Sequence, residues 1–257
     1  MMEPDPPNPY AAPETRDAPP ETGLAVLPPG AYGPYRDNRL LARWLLGLLV
    51  LGLIVHLLRI AVNFIYSFTG WLDDEALSER IEAIFEGSRL TALILHIVFG
   101  VWIVRSGKNA WLFAGLTRST WRTGNLLPPK FLQDTPGWAV GWYFIPIASL
   151  WKPYVAMRDI VRASTLDAGL SGWLLPTWWT LWIISQVADR ATHRLADAAA
   201  NWEGAEQIIF WTSASGIQIA LHTVAILLVR GVTALQSDTA ATLAAPDFNA
   251  SGPPEPA

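Results

Sequence analysis

The stretch PGWAVGWYFIPIASLWKPYVAMRDIVRAS, Pro136 to Ser164, decides how the rest of the chain is threaded. It begins like a membrane segment, is interrupted by Pro146 and Pro153, and ends as a charged helix. Proline removes a backbone donor and breaks a helix, and unpaired backbone at membrane depth must be buried in protein or meet water. The stretch therefore either crosses a bilayer as a tilted, broken helix or enters it part of the way and returns.

The two halves of this stretch favour partial entry. The part from Trp138 to Trp151 would be roughly 21 Å long as a helix, too short for a level crossing of a core about 30 Å thick. In the second half one helical face is apolar and consists of Tyr154, Met157, Ile160 and Val161. Arg158 and Arg162 lie on another face, as in helices that rest at a membrane surface. We predict a half-inserted segment followed by an interfacial helix, with a full tilted crossing as the alternative.

The composition predicts a membrane protein for the rest of the chain. Of 257 residues 51% are hydrophobic and 16% are charged, against about 25% charge in a soluble domain. Four further apolar runs are of membrane-spanning character: Trp44–Phe68, Leu90–Val104, Leu170–Ala188 and Ile208–Val229. The predicted fold is all-α, a polytopic transmembrane bundle of four spans plus the kinked fifth segment. A further helix over residues 73–89, capped by Asp73 or Asp74, is expected to lie over one end of the bundle.

Lysine and arginine favour the cytoplasmic side of short loops. With four spans, most of these residues fall on the side that carries both termini, so both tails are predicted to be cytoplasmic in a cell (inner) membrane. The proline-rich residues 1–38 and the shorter stretch 236–257 are predicted to be disordered tails around a transmembrane domain at 39–235. The net charge of −4 gives no reason to expect a nucleic-acid partner, and the absence of cysteine excludes disulfides and thiolate sites.

The proline-broken stretch, the preceding VWIVRSGKNAWLFAG and the following WWTLWIISQ resemble the bacterial membrane family called domain of unknown function 4328. The matching positions are Trp138, Gly141, Trp142, Phe144, Ile145, Pro146, Pro153, Tyr154, Met157, Arg158, Arg162, Ala163 and Ser164. The resemblance covers residues 40–229 and implies a membrane location, with no biochemical role attached. We call residues 136–164 the signature segment. Its candidate lipid-facing residues are Trp138, Trp142, Pro146, Pro153, Tyr154, Arg158 and Arg162.

Polar residues inside the predicted spans are the best functional clue, because ionisable groups at membrane depth are costly. They recur at helical spacing and comprise His56, Arg59, Asn63, His96, Ser215, Gln218 and His222. Three interpretations are open: hydrogen bonds between helices, a proton or small-solute path, and haem ligation by His56 and His96.

No catalytic motif and no cofactor are predicted. Asp189, His193 and Asp197 follow helical spacing, but a solvated helix face explains them without a metal. The leading interpretation is a non-enzymatic structural or regulatory protein, and the alternative is a small-solute or proton transporter or channel. The expected partner is the lipid bilayer, with a protein partner or a second copy of the chain left open.

Overall fold

A computed structural model of the chain describes residues 30–69, 75–121, 132–165, 170–199 and 205–245. Within these ranges the chain is helical, apart from connecting turns and one bridge between Gly30 and Gly33. The α-helices in chain order are α1 (Arg39–Thr69), α2 (Glu75–Trp121), α3 (Trp138–Gly141), α4 (Lys152–Ala163), α5 (Leu174–Ala199) and α6 (Ala205–Ala244). The predicted all-α class is confirmed for the described part of the chain.

Within the described ranges, three helices contain a stretch long and apolar enough to cross a membrane: Arg39–Ile65 in α1, Gly87–Leu116 in α2 and Thr212–Ala244 in α6. Helix α5 is not among them, although the sequence predicts a span there. It has 26 residues, but tryptophan, threonine and proline dilute its apolar first half and charged residues follow from Asp189. Three of the four predicted spans therefore coincide with helices that meet this criterion of length and hydropathy.

Helix α2 merges two elements that the sequence separates. The helix expected over residues 73–89 and the span expected at Leu90–Val104 form one continuous helix of 47 residues. No proline interrupts the chain between Glu75 and Trp121, so helical hydrogen bonding continues through both parts. At roughly 70 Å this helix is longer than a hydrocarbon core is thick. The expected capping residues, Asp73 and Asp74, lie outside the described residues.

The bundle is built around the antiparallel pair α1 and α6, which share the most extensive contact among the described helices. Helix α5 packs on α6, α2 packs on α1, and α4 packs on α2. The largest fully buried apolar side chains are Leu45, Trp102, Ile103, Phe113, Met157, Trp178, Leu228, Val229, Val232 and Leu243. We call the end at which α1 begins and α6 ends the basal end.

The last residues of the predicted amino-terminal tail are packed against the basal end. The Tyr32 ring lies 5.3 Å from the Trp111 ring, centroid to centroid. The Asn109 side chain bonds the backbone of Arg36 twice, accepting from its N–H at 3.1 Å and donating to its carbonyl at 2.9 Å. Asn38 is buried. Residues 30–38 are thus attached to α2, and of the tail predicted over residues 1–38 only residues 1–29 lie outside the described ranges.

The carboxyl end also differs from the sequence expectation. Helix α6 continues to Ala244, whereas the sequence predicts a disordered tail from residue 236. The helix persists because its last turns have partners: Gln236, Thr239 and Leu243 are buried against the basal end. Residues 246–257 lie outside the described residues.

Candidate functional site

The signature segment is broken into short helical pieces. Helix α3 has four residues, two 3-10 turns follow at Trp142–Phe144 and Ala148–Leu150, and α4 has twelve residues. Pro146 lies between the two turns, where Ser149 donates its hydroxyl to the Pro146 carbonyl at 2.8 Å. Pro153 occupies the first turn of α4, where its missing N–H leaves no helical bond unmade. Twelve helical residues span roughly 18 Å, so α4 does not cross a membrane by itself.

The outer surface of the signature segment is apolar. Phe144 is 81% exposed and Ile147 is 72% exposed, although both are large hydrophobic residues. The other exposed large apolar side chains of the segment are Trp138, Ile145, Leu150 and Trp151. They form a run along residues 138–151. An apolar surface of this kind marks contact with a membrane or with another protein.

The inner surface of the segment is held by aromatic rings of α5. The rings of Trp179 and Trp182 stack with centroids 4.7 Å apart, and the Tyr143 ring meets both edge-on at 6.5 and 5.5 Å. The Trp179 indole N–H donates to the Leu150 carbonyl at 3.2 Å, so it pairs a backbone group of the irregular stretch. These tryptophans therefore pack and anchor. Trp173, by contrast, is exposed.

Three cations line the edge of the segment. The Lys152 ammonium lies 4.9 Å from the centre of the Trp142 ring and 3.9 Å from a carboxylate oxygen of Asp134. Arg158 contacts the Asp159 carboxylate at 3.3 Å. Arg162, in the last turn of α4, is exposed. The apolar face of α4 is turned to the protein, since Met157 and Ile160 are buried in the core, and Pro153, which was expected to face lipid, is buried as well.

Asp159 is a buried carboxylate on the opposite face of α4. Its side chain is 4% exposed, and it accepts hydrogen bonds from the Arg158 guanidinium and from the backbone N–H of Gln133. Burial raises the pKa of the Asp159 carboxyl above its usual value, and both partners oppose that rise. Asp159, Asp134 and Trp111 line a small pocket. The pocket has room for about one water molecule. Nothing in the sequence distinguished this aspartate from a solvated one.

A buried polar cluster, centred on Gln236, joins four parts of the chain at the basal end. The Gln236 amide donates to the Ser106 carbonyl at 2.9 Å and to the Ser164 hydroxyl at 3.1 Å. Its oxygen accepts from the side chains of Asn38 and Asn109, each at 3.2 Å. A glutamine amide has two donor hydrogens and two lone pairs, so all four are used. We call these five residues the Gln236 cluster.

The Gln236 cluster attaches the signature segment to α6. Thr239 donates its hydroxyl to the Ser164 carbonyl at 2.7 Å, and Ser164 donates its own hydroxyl back to Ile160 at 2.8 Å. Sequence analysis missed this cluster because Gln236 was assigned to a tail. The available signal was Ser164, a matched position at the end of the signature segment.

Inside the bundle two of the predicted polar residues meet. The rings of His56 on α1 and His222 on α6 lie 5.4 Å apart, centroid to centroid. They approach at Gly52, where an added Cβ would lie 2.5 Å from Nε2 of His222. The His222 Nδ1 lies 2.7 Å from the Gln218 carbonyl on its own helix. Only glycine leaves room for this ring at that level of α1.

The remaining predicted polar residues are placed less closely together. Arg59 and Asn63 are half-buried on the His56 face of α1, and Ser215 is buried on α6. The Gln218 amide donates to both carboxylate oxygens of Asp189 on α5, at 3.2 and 3.3 Å. The predicted polar residues of α6 therefore contact α5 through Gln218 and α1 through His222.

His96 is not paired with His56, as the haem interpretation requires. Its ring is exposed, with Nδ1 2.6 Å from the Ala92 carbonyl of its own helix, and the ring beside His56 is that of His222. Among the described residues, no three of His, Asp or Glu are grouped so that they could hold a metal ion. The side chains of His193 and Asp197 lie outside what the structure describes.

Comparison with known proteins gives one match. The family model described as "Domain of unknown function (DUF4328)" matches residues 72–234, which is more than half of the chain. No curated protein and no solved structure matches. The matched region begins in the segment before α2 and ends in α6, so it includes the signature segment and His222 but not α1.

Proposed function

The chain belongs to the DUF4328 family, and we propose that it is a non-enzymatic, multi-pass membrane protein whose signature segment rests in the cytoplasmic membrane interface. Its role in this proposal is structural or regulatory, exerted through lipid or through a membrane partner. The observation that carries the proposal is that residues 138–151 have one apolar, exposed surface and one surface packed against the protein. Their apolar side chains point away from the protein while their irregular backbone is tied to α5.

Partial insertion accounts for both surfaces. Side chains such as Phe144 and Ile147 gain free energy when they leave water, by about 25 cal/mol for each Å² of apolar surface. Irregular backbone at membrane depth is tolerated where protein covers it. The bonds from Trp179 to Leu150 and from Ser149 to Pro146 provide such cover.

The basic edge supports the choice of the cytoplasmic side. Lys152, Arg158 and Arg162 follow directly after the exposed apolar residues, so their charges would lie at the depth of the lipid phosphates. The cytoplasmic leaflet carries the anionic lipids in most cells, and each basic residue near it contributes about 1 kcal/mol of attraction.

Helix α5 is the fourth span in this proposal. Its 26 residues are enough to cross a core about 30 Å thick, and its packing on α6 keeps Trp178 and Ser185 away from lipid. Four spans return the chain to the side on which it started. The basal end, with residues 30–38 and the end of α6, is then cytoplasmic.

Labelling of single cysteines tests the topology, and the natural chain has no cysteine to interfere. Ser164 is an unsuitable site because it is buried in the Gln236 cluster. Exposed Arg162 and exposed Glu206 are suitable, since one precedes α5 and the other follows it, outside the apolar stretch of α6. In sealed spheroplasts, an impermeant thiol reagent should label Glu206→Cys and should leave Arg162→Cys unlabelled until the membrane is broken. Labelling of Arg162→Cys from outside would overturn the proposed topology.

Depth is tested in nanodiscs with a fluorophore on Ile147→Cys. Lipids carrying a nitroxide at a shallow acyl position should quench this fluorophore strongly. Glu206→Cys, at an exposed position before the apolar stretch of α6, should lie in water beyond the opposite interface; it is the matched site and should be quenched weakly. Equal quenching at both sites would show that the signature segment does not enter the bilayer.

A further inference from the structure

We propose that His56 and His222 form a proton-binding site inside the bundle, in which the two imidazoles take up protons as one coupled unit between α1 and α6. This goes beyond the proposed function, because neither the signature segment nor the lipid surface is involved. The chemical step is the transfer of H⁺ from water to a ring-nitrogen lone pair. It breaks no bond in the protein and needs no co-reactant.

The hydrogen bonding of His222 fixes where its lone pair lies. The Gln218 carbonyl accepts at 2.7 Å and cannot donate, so Nδ1 of His222 carries a hydrogen. In the neutral ring Nε2 therefore carries the lone pair. That nitrogen lies against Gly52, one helical turn before His56 on the same face of α1.

His56 supplies the second basic nitrogen. Its Nδ1 is buried and has no hydrogen-bond partner among the described residues. A buried polar atom without a partner is unfavourable and is uncommon in folded proteins. A water molecule beside this nitrogen would satisfy it, by donating to the lone pair of the neutral ring or by accepting from the N–H of the protonated ring.

The distance between the rings makes the two sites one unit. With centroids 5.4 Å apart, a charge on one ring acts strongly on the other, because the interaction of two charges grows as their separation falls. Groups that interact this strongly lose their protons in steps that belong to the pair. The first proton is accepted by a neutral pair, and the second meets a positive charge at contact distance.

Charged and titratable groups on every neighbouring helix act on this pair. Arg59 on α1 lies one turn beyond His56 and acts on it electrostatically. From α2, His96 acts on His222. From α5, Asp189 reaches the pair through Gln218, whose carbonyl holds His222 while its side chain binds Asp189. The pair is thus connected to two further helices, to α2 through His96 and to α5 through Gln218 and Asp189, while Arg59 acts on it from α1.

The experiment is a titration of the full chain, labelled with ¹⁵N-histidine and reconstituted in nanodiscs. The chain has only four histidines, so each ring gives a resolved set of signals. From about pH 3 to pH 9 the signals of His56 and His222 should each show two steps with shared midpoints, the second of them in the more acid part of this range. In the neutral state His222 should show the tautomer with hydrogen on Nδ1.

Variants then show whether the shared midpoints of His56 and His222 arise from coupling between the two rings. In His222→Gln the second step at His56 should vanish, and its remaining midpoint should move by about one pH unit or more. His96→Gln is the control for a neighbour outside the pair: it removes an exposed ring that acts on His222 electrostatically, so it can shift the midpoints but should leave the two-step pattern in place. Should His222→Gln fail to fold, the wild-type titration decides alone. Independent single steps at His56 and His222, or no change of protonation at either, would overturn the proposal.

Discussion

Ser164, the last residue of the signature segment, is joined to Gln236 near the end of α6 by a hydrogen bond of 3.1 Å between hydroxyl and amide. The bond connects the proposed membrane-interface helix α4 to the basal end of the bundle. Both residues are buried, and both atoms make further bonds, Ser164 to Ile160 and Gln236 to the Ser106 carbonyl. The Gln236 amide, which belongs to another helix, therefore helps to hold the end of α4 in place.

Replacing Gln236 by leucine should destabilise the protein by about 2–4 kcal/mol, because several buried groups lose their partner at once. Asn38 and Asn109 lose the oxygen to which they donate, and the Ser106 carbonyl loses its donor. The measurement is thermal unfolding in a fixed detergent, followed by circular dichroism. Gln133→Leu makes the same change at an exposed side chain and should leave the midpoint unchanged within error. Equal midpoints for both variants would mean that the Gln236 cluster contributes nothing.

Gly52→Ala should destabilise the α1–α6 contact by about 1–3 kcal/mol, because the new methyl group would overlap the His222 ring. The Cβ would lie 2.5 Å from Nε2 and 2.8 Å from Cδ2 of that ring. Gly47→Ala is a strict control on the same helix, since a Cβ there meets nothing within 4 Å. That variant should be neutral or stabilising by up to about 1 kcal/mol, because alanine favours helix over glycine. Thermal unfolding of the two variants side by side gives the comparison, and a smaller loss for Gly52→Ala would contradict the packing described at His222.

Asp159→Asn should flatten the dependence of stability on pH in the acid range. Burial raises the pKa of this carboxyl in the folded state, so the folded protein binds its proton at a higher pH than the unfolded chain does. The slope of the unfolding free energy with pH follows the protons bound by the unfolded state minus those bound by the folded state. For this group that difference is negative, so its contribution is greatest in acid and falls as pH rises through the raised pKa.

Asparagine keeps an oxygen for the Gln133 N–H and for Arg158 but carries no charge, so the variant should lose this pH dependence and gain stability relative to wild type towards neutral pH. Unfolding midpoints measured at a series of pH values test it. Asp238→Asn, at an exposed position of α6, should keep the wild-type curve. A midpoint for Asp159→Asn that falls further below the wild-type midpoint as pH rises would show that the Asp159 carboxylate stabilises the protein at neutral pH, the opposite of the expected effect.

The sequence identifies helices well in this chain but identifies their partners poorly. Apolar runs and the two prolines of the signature segment predict its broken course and the long helices around it. Helical spacing also shows that His56 shares a face with Arg59, yet it cannot show which helix that face meets. The meeting with His222 depends on the relative axial position of α1 and α6, which is set by Gly52 and by the Gln236 cluster. Hydropathy does not identify Gln236 as a buried residue, because it scores a glutamine as polar whether or not its amide has four partners in the folded protein. The sequence therefore places Gln236 at the start of a tail.

Asn109→Leu should release residues 30–38 from α2 while the helices stay folded. Asn109 holds the Arg36 backbone through both its N–H and its carbonyl, and leucine of similar size can pair with neither. Digestion with trypsin should therefore cut after Arg36 about tenfold faster, the change expected when local opening becomes easier by about 1.4 kcal/mol. Thr242→Val removes an exposed hydroxyl at the same end of the bundle and should be cut at the wild-type rate. Equally slow cleavage after Arg36 in all three proteins would show that Asn109 is not needed, because the ring contacts of Tyr32 and Tyr35 and the bond from Arg105 to the Asp37 carbonyl hold the segment. Digestion of the whole bundle would show that Asn109 supports the helices rather than the segment.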